Sequence, residues 1–557
     1  MMKIFNKIAV AIISIGILFS CESIELDLTE NPNSAPDINA NLLLNAAQED
    51  FARFVQSFGE TGAQVTRIDY MSGRNYDQAY SPTGFDGQWR NAYSTVLTDL
   101  YSMYSLAEEE DLRRHIGMGQ MMESYIMITL VDFFGEVPYS EALQGAGNLN
   151  PAPDPGASVY DAILSLLDEA IINFTTEENE RDPDFDLFYD KDWDNWVKAA
   201  NSLKIKIYAQ RRLVDPNAAN SINAIVNSGD YIDEISEDFQ FQWGTNVANP
   251  DTRHPRYVAN YIGTGAADYM SNWLMGYMLT DKVNNASGTF EDADPRIRYY
   301  FYRQWDCTPG NGCEPNQQEL SCSVEPVPTH YAGFTFCNLP DGYWGRDHGD
   351  DDGIPPDGLK RTVWGVYPAG GRFDDSTFEP MDQDLGAGGG GITPIILSST
   401  IDFLLAELDY VAGNYPAARD HMLEGIQKSF TKVRSFGDLD TSADLSLAAP
   451  LTDDDDYIQE VSELFDAAAP TEKLNILAKE FWVVLYGNGT DAYNFYRRTG
   501  APYDLQPNLE PDPGAFIRSF FYPAVFANTN SSVTQKADTT ERVFWDTNPQ
   551  TGFPVAN

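Results

Sequence analysis

Apolar residues recur at helical spacing through most of the first 228 positions. Within residues 40–58, Leu42, Leu43, Ala46, Ala47, Phe51, Phe54 and Val55 fall on one side of a helix. Residues 88–106 repeat the pattern with Trp89, Ala92, Tyr93, Val96, Leu97, Leu100 and Met103. Residues 109–134 predict a third helix, ending near Gly135 and Pro138. Residues 159–172 predict a fourth, and residues 193–213 a fifth, with Trp196, Ala199, Ala200, Leu203, Ile207 and Tyr208 on one face. From about 229 to 391 the pattern changes. Glycine, proline and aromatic residues are dense, and helical spacing is weak apart from 273–279. This stretch predicts loops, short helices and small strands laid across a helical scaffold. Long irregular stretches are uncommon unless functional, so it is the natural site-bearing part. Helical spacing returns at 401–411, at 416–430 beyond the Gly413-Asn414 turn, and at 472–486, the last strong helix, stopped at Gly487. Residues 453–456 read as a solvated acidic loop. The fold class is mainly α. The divisions are a helical scaffold at 40–228, a loop-rich binding lobe at 229–393, the rest of the scaffold at 394–500 and an irregular segment at 501–557.

The chain start changes the picture. Lys3 and Lys7 precede an apolar run from 8 to 19, too short for a mature membrane span but suited to a signal peptide. Ser20-Cys21 closes the run as a lipoprotein cleavage site does. The expectation is a signal peptide at 1–20, lipid on Cys21 and a polar tether at 21–39. No second stretch of eighteen apolar residues follows, so membrane contact falls to the lipid and a partner. The net charge of -48, from 84 acidic and 36 basic residues, repels nucleic acid and excludes a phosphate-neutralising face. Export also bears on Cys307, Cys313, Cys322 and Cys337, which share one short window and are disulfide candidates with three pairings open. Their spacings lack the paired CxxC of common zinc sites.

Catalytic chemistry finds little support. Neither a GxSxG elbow nor an HExxH motif occurs, and the five histidines form no metal-ligand pair at helical spacing. Two carboxylates can always be picked from 84, so their number says nothing about glycoside hydrolysis. Binding chemistry is better represented. Trp305, Tyr331, Tyr343, Trp344, Trp364 and Tyr367 lie in the irregular stretch, several beside glycines. Their flat apolar faces and polar tips suit sugar rings. Trp344 and Trp364 are the leading ligand-binding candidates, with Tyr343, Tyr367 and Trp305 behind them; packing against irregular backbone is the alternative for each. Asp347, Asp350, Asp352 and Asp357 make an oxygen-rich loop, a calcium candidate outside the EF-hand pattern, with a solvated acidic loop as the alternative.

Certain runs carry a family resemblance. Val131-Asp132-Phe133-Phe134-Gly135-Glu136-Val137-Pro138-Tyr139 resembles the helix-to-loop signature of SusD/RagB-type proteins. Glu480-Phe481-Trp482, Tyr486-Gly487 and the run Asp491 to Gly500, with Arg497-Arg498-Thr499-Gly500 at its end, resemble the family's late helix and the segment after it. Asp294-Pro295-Arg296-Ile297 resembles a recurring family turn, and Gly345-Arg346-Asp347-His348-Gly349 with Gly353-Ile354-Pro355-Pro356 marks a branch of the family. The resemblance implies a SusD-like fold with four tetratricopeptide-like helix pairs. It also implies a non-catalytic, lipid-anchored protein on the extracellular face of the outer membrane, capping a SusC/RagA-like TonB-dependent barrel. The implied ligand is an oligosaccharide or polysaccharide; a peptide and a pure scaffold role are the alternatives. Arg497 and Arg498 suit carboxylates, and in so acidic a chain internal ion pairs are their ordinary use.

Overall fold

The computed structural model describes residues 38–549 except 73–74, 262–266, 281–292, 307, 310–311, 314–338, 350–360 and 511. From Ala40 onward the chain forms one compact unit. Its helices follow the apolar pattern. Helix α1 (Ala40–Val65) buries Leu44, Ala47, Phe51, Phe54, Val55 and Phe58. Leu42 and Ala46 face solvent instead. The buried side of that first stretch also carries Asn41 and Gln48. Asn41 Oδ1 accepts from the Asp184 backbone at 3.0 Å, and Gln48 Oε1 from Leu187 at 2.8 Å. Next come α2 (Leu97–Glu109), entered through a π-helical turn (Asn91–Val96), and α3 (Arg113–Phe134). The helix expected from 109 starts at Arg113 instead: α2 runs on to Glu109, and Asp111 takes a left-handed backbone between the two. Helices α4 (Gly156–Thr175) and α5 (Trp193–Arg211) match their predicted spacings.

The lobe contains β1 (Phe239–Gln242), α7 (Pro255–Asn260), α8 (Asn272–Thr280), α9 (Ile297–Tyr300), β2 (Phe301–Tyr302), β3 (Val363–Trp364) and β4 (Ile392–Ile396). It is preceded by α6 (Ala218–Ser228). Strand β1 pairs antiparallel with β4, Gln242 opposite Ile392, and β2 with β3, Phe301 opposite Trp364. The scaffold resumes with α10 (Ser398–Val411), α11 (Tyr415–Ser435), α12 (Leu451–Ala467), α13 (Pro470–Val484) and α14 (Gly489–Thr499). Helices adjacent in sequence pack on one another, α3 on α4, α4 on α5, α10 on α11 and α11 on α12, while α14 returns to lie against α1.

Three expectations need correction. The acidic run 453–456 is helical, inside α12. Asp453 and Asp454 occupy the first turn, where negative charge suits the helix dipole. Tyr457, Val461 and Phe465 anchor the same helix one turn apart, and Asp454 takes a bidentate pair from Arg434 at 2.6 and 2.7 Å. The helix at 472–486 is not the last. Helix α14 follows, with Asn488 accepting from Asp491 N–H at its start and Gly500 in a left-handed conformation at its end. Every residue of α14 is buried, including Asp491, Asn494, Arg497 and Arg498, so its polar side faces the interior and not solvent. Helix α6 was missed as well. It buries Ala218 and Ile222 but is otherwise rich in Asn and Ser, and it stops at Gly229, φ 76°.

Candidate functional site

The end of α1 leads into the lobe through Arg67, a non-glycine residue at φ 67°. That strained turn is held from several sides. Arg67 donates from Nε to the Gln506 carbonyl at 2.8 Å, from Nη1 to the Val65 carbonyl at 2.5 Å and from Nη2 to Tyr76 Oη at 3.0 Å. Tyr76 Oη in turn lies 3.2 Å from His348 Nε2. Burial, and then the charge of Arg67, hold the His348 imidazole well below its ordinary pKa, so it is neutral.

The Gly345–Gly349 run is tied to this turn. Gly345 N–H donates to Asn272 Oδ1 at 3.1 Å, and Arg346 N–H to the Met270 carbonyl at 2.9 Å. Asp347 accepts from Gln506 Nε2 at 2.8 Å and Asn272 Nδ2 at 3.2 Å. Asp347, proposed from sequence as a calcium ligand, therefore has both oxygens engaged by amides. Asp350, Asp352 and Asp357 lie outside the described residues. Among the described residues no three His, Cys, Asp or Glu side chains are placed to hold a metal.

The aromatic candidates are placed inside the lobe. Trp364 is 2 % exposed, stacked on Tyr486 at 4.6 Å, with the Arg256 guanidinium 5.0 Å from its ring centre. Tyr486 stacks on Tyr300 at 4.4 Å, and Tyr300 on Tyr367 at 5.4 Å. Trp344 is equally buried; its carbonyl accepts from Thr362 N–H at 3.0 Å and its own N–H donates to Thr362 Oγ1 at 2.9 Å. Tyr343 lies under Arg303. None of these four rings offers a face to solvent in this conformation, so the packing alternative describes them here. Trp305 is half-buried. Tyr331 and Cys21 lie outside the described residues, as do Cys307, Cys322, Cys337 and the side chain of Cys313.

The accessible chemistry sits beside this buried layer. Tyr70 and Tyr269 are half-buried and meet edge to face at 5.7 Å. The guanidinium of Arg361 lies 3.8 Å from the Tyr269 ring centre and that of half-buried Arg346 4.7 Å from it. Nearby, Arg256 gathers three carboxylates: Asp69 at 2.6 Å, Asp268 at 2.8 Å and Glu60 at 3.4 Å. Burial works to lower the Arg256 pKa, but Asp69, Asp268 and Glu60 outweigh it and hold the guanidinium charged. Burial likewise works to raise Asp268, and Arg256 outweighs it, so that carboxyl stays ionised. Arg256, Asp69 and Arg361 are buried, while Tyr70, Tyr269, Arg346 and Asp268 are half-buried; rings and polar groups of this kind can pack against a sugar ring and bond its hydroxyls without any bond being broken. Sequence reasoning missed Tyr70, Tyr269, Arg256 and Asp268. Tyr70 follows the end of α1 with no motif around it, and no spacing in the sequence joins 69–70 to 256–269.

The family described as starch-binding and associating with the outer membrane, SusD-like, matches residues 32–315. A solved SusD/RagB family protein from Bacteroides thetaiotaomicron is similar, with a TM-score of 0.66 and 16% identity, over 92% of this chain and 99% of that one. A chitin-binding protein gives 0.64 and 18%, over 91% and 99%. A chitin-binding SusD homolog from Flavobacterium johnsoniae gives 0.56 and 16%, again over 91% and 99%. At these identities the likeness is one of fold. No curated protein matches the chain.

Proposed function

The chain belongs to the SusD-like family, whose members are non-catalytic binding proteins, and on that premise we propose that it captures glycans at the outer-membrane surface. The observation that carries the reading is the Tyr70–Tyr269 pair with Arg346 and Arg361 beside it, in a lobe held by a helical scaffold. Two proteins of like fold named for chitin binding support the same ligand class. Lipid at Cys21 would hold the protein to the membrane, and a SusC-like TonB-dependent barrel would receive the captured glycan. Among the described residues no helix is long and apolar enough to cross a membrane.

Calorimetry of the purified protein against chito- and malto-oligosaccharides tests the site. Y70A and Y269A are expected to lose about 1–3 kcal/mol of binding while staying folded by circular dichroism. W364A is the contrast: removing a buried ring should cost about 3–5 kcal/mol of stability. Unchanged affinity in both tyrosine variants would place the ligand elsewhere, and binding of peptides in preference to every glycan would favour the peptide reading. For the anchor and the hand-off, mild-detergent pull-down from native membranes should recover the barrel with wild type. Equal membrane retention of C21A would count against the lipid.

A further inference from the structure

Helices α3, α4, α5, α10, α13 and α14 meet around a cavity of about 30 Å³. It lies in the scaffold, away from the lobe residues of the candidate site, and its wall is mixed, with Ile128, Ile207, Leu404 and Phe481 beside charged and amide groups. Lys206 of α5 reaches Asp491 of α14 at 3.0 Å and sits 5.1 Å from the ring centre of Tyr125 of α3. The second Asp491 oxygen accepts from Asn488 Nδ2 at 2.8 Å. Two polar atoms of the wall have no protein partner among the described residues: Tyr125 Oη and Gln210 Nε2. Tyr125 is 1% exposed and Gln210 5%. Gln210 is not free to turn its amide away, because its Oε1 accepts from Arg498.

We propose that this cavity is a binding site for a pair of internal water molecules. They accept hydrogen bonds from Gln210 Nε2 and Tyr125 Oη and donate to the Asp491 carboxylate. Size sets the number. A buried water needs about 10–15 Å³ of such volume and two to four polar partners, which allows about two here. Charge sets the class. Lys206 and Arg498 oppose a cation, Asp132 and Asp491 oppose an anion, and an apolar molecule would leave both orphan groups unsatisfied. A neutral molecule that donates and accepts meets every group on the wall. The waters also keep part of the hydration of the Lys206–Asp491 pair, which otherwise bears the full cost of burial. They join α3 and α5, from the first half of the chain, to α14 from the second.

A crystal structure of the protein at about 1.8 Å or better is expected to show two density peaks at hydrogen-bond distance from Tyr125 Oη and Gln210 Nε2. Y125F keeps the ring and removes the hydroxyl, so one peak should be lost. In solution, magnetic relaxation dispersion of water should count about one long-lived water fewer in Y125F than in wild type. The proposal is overturned by a dry cavity in wild type. It is equally overturned by a direct bond between Tyr125 and Gln210 that closes the space, or by a peak with metal-like distances of about 2.0–2.6 Å. Equal water counts in wild type and Y125F, with both folded, would also overturn it.

Discussion

Glu123 is a carboxyl group walled in by two tyrosines. Tyr104 Oη donates to it at 2.9 Å and Tyr101 Oη at 3.1 Å. Burial pushes it up to about 7 from an ordinary 4.5, against those two hydrogen bonds. Lys536 is its basic counterpart. Its ammonium donates to Ser519 Oγ at 2.6 Å, and burial pushes it down to about 7 from 10.5, with Glu541 and Glu136 opposing and Arg497 reinforcing. The signs follow from proton linkage. Between about 4.5 and 7 the folded state holds a proton on Glu123 that the unfolded state releases, so stability falls as pH rises. Between about 7 and 10.5 the unfolded state holds a proton on Lys536 that the folded state lacks, so stability rises with pH. The two groups together put a minimum near pH 7, contributing on the order of 3 kcal/mol to the acid limb and on the order of 5 kcal/mol to the alkaline one. Urea denaturation across pH 4.5–10 should show it. E123Q should shrink the acid limb, which Asp69 and Asp402, also raised by burial to about 7, share, and K536M should shrink the alkaline one; a limb unchanged by its variant would assign that limb wholly to other groups. The lobe tryptophans teach a different lesson at this scale. Glycines beside Trp344 and Trp364 suggested exposed rings, yet those glycines permit contact. A Cβ on Gly365 would sit 2.2 Å from the Tyr299 carbonyl oxygen, and one on Gly345 2.0 Å from that of Met270. Glycine signals that something approaches closely, and here the neighbour is the protein's own backbone.

Helices α1 and α14 cross at their glycines. A Cβ on Gly489 would lie 2.0 Å from Ala63 N and 2.2 Å from the Gly59 carbonyl oxygen, and one on Gly62 2.3 Å from the Gly489 carbonyl oxygen. Backbone cannot yield as a side chain can, so G489A should cost at least about 1–3 kcal/mol by overpacking. G84A is the control, since a methyl there meets nothing within 4 Å. Thermal denaturation of the pair decides it: equal melting temperatures would mean that the crossing relaxes freely. The family-like runs at 131–139 and 491–500 also find their physical meaning in this element and its neighbours. Asp132 accepts from Tyr160 Oη at 2.5 Å, Asn494 Nδ2 at 2.7 Å and Trp545 Nε1 at 2.9 Å. Arg498 makes a bidentate pair with Glu407, and Arg497 donates to the carbonyls of Asp132 and Arg518. These residues join helices distant in sequence: Arg498 through an internal ion pair, Arg497 through carbonyl groups.

Across the molecule, the charge of -48 is a standing repulsion within a compact body. Salt screens it, with a Debye length falling from about 30 Å at 0.01 M to about 8 Å at 0.15 M. The melting temperature should therefore rise as sodium chloride increases over that range. A fall would mean that the exposed ion pairs, such as Arg419–Asp466 at 2.6 Å, outweigh the net repulsion. By itself the sequence determined the mainly helical class and most of the amphipathic helices, because one-sided burial leaves a periodic trace. It also carried the family resemblance, because whole runs of residues are retained together. Only the tertiary structure decided what periodicity cannot carry. Helix α14 is buried on every side, and α12 has its acidic first turn stabilised by Arg434 from another helix. The site followed the same logic. Tyr70, the stretch that carries Arg256 and Tyr269, and Arg346 lie far apart along the chain, and nothing in the sequence joins them. Their assembly depends on the strained turn at Arg67 and on the close backbone approach at Gly345, and both are set by packing between distant segments.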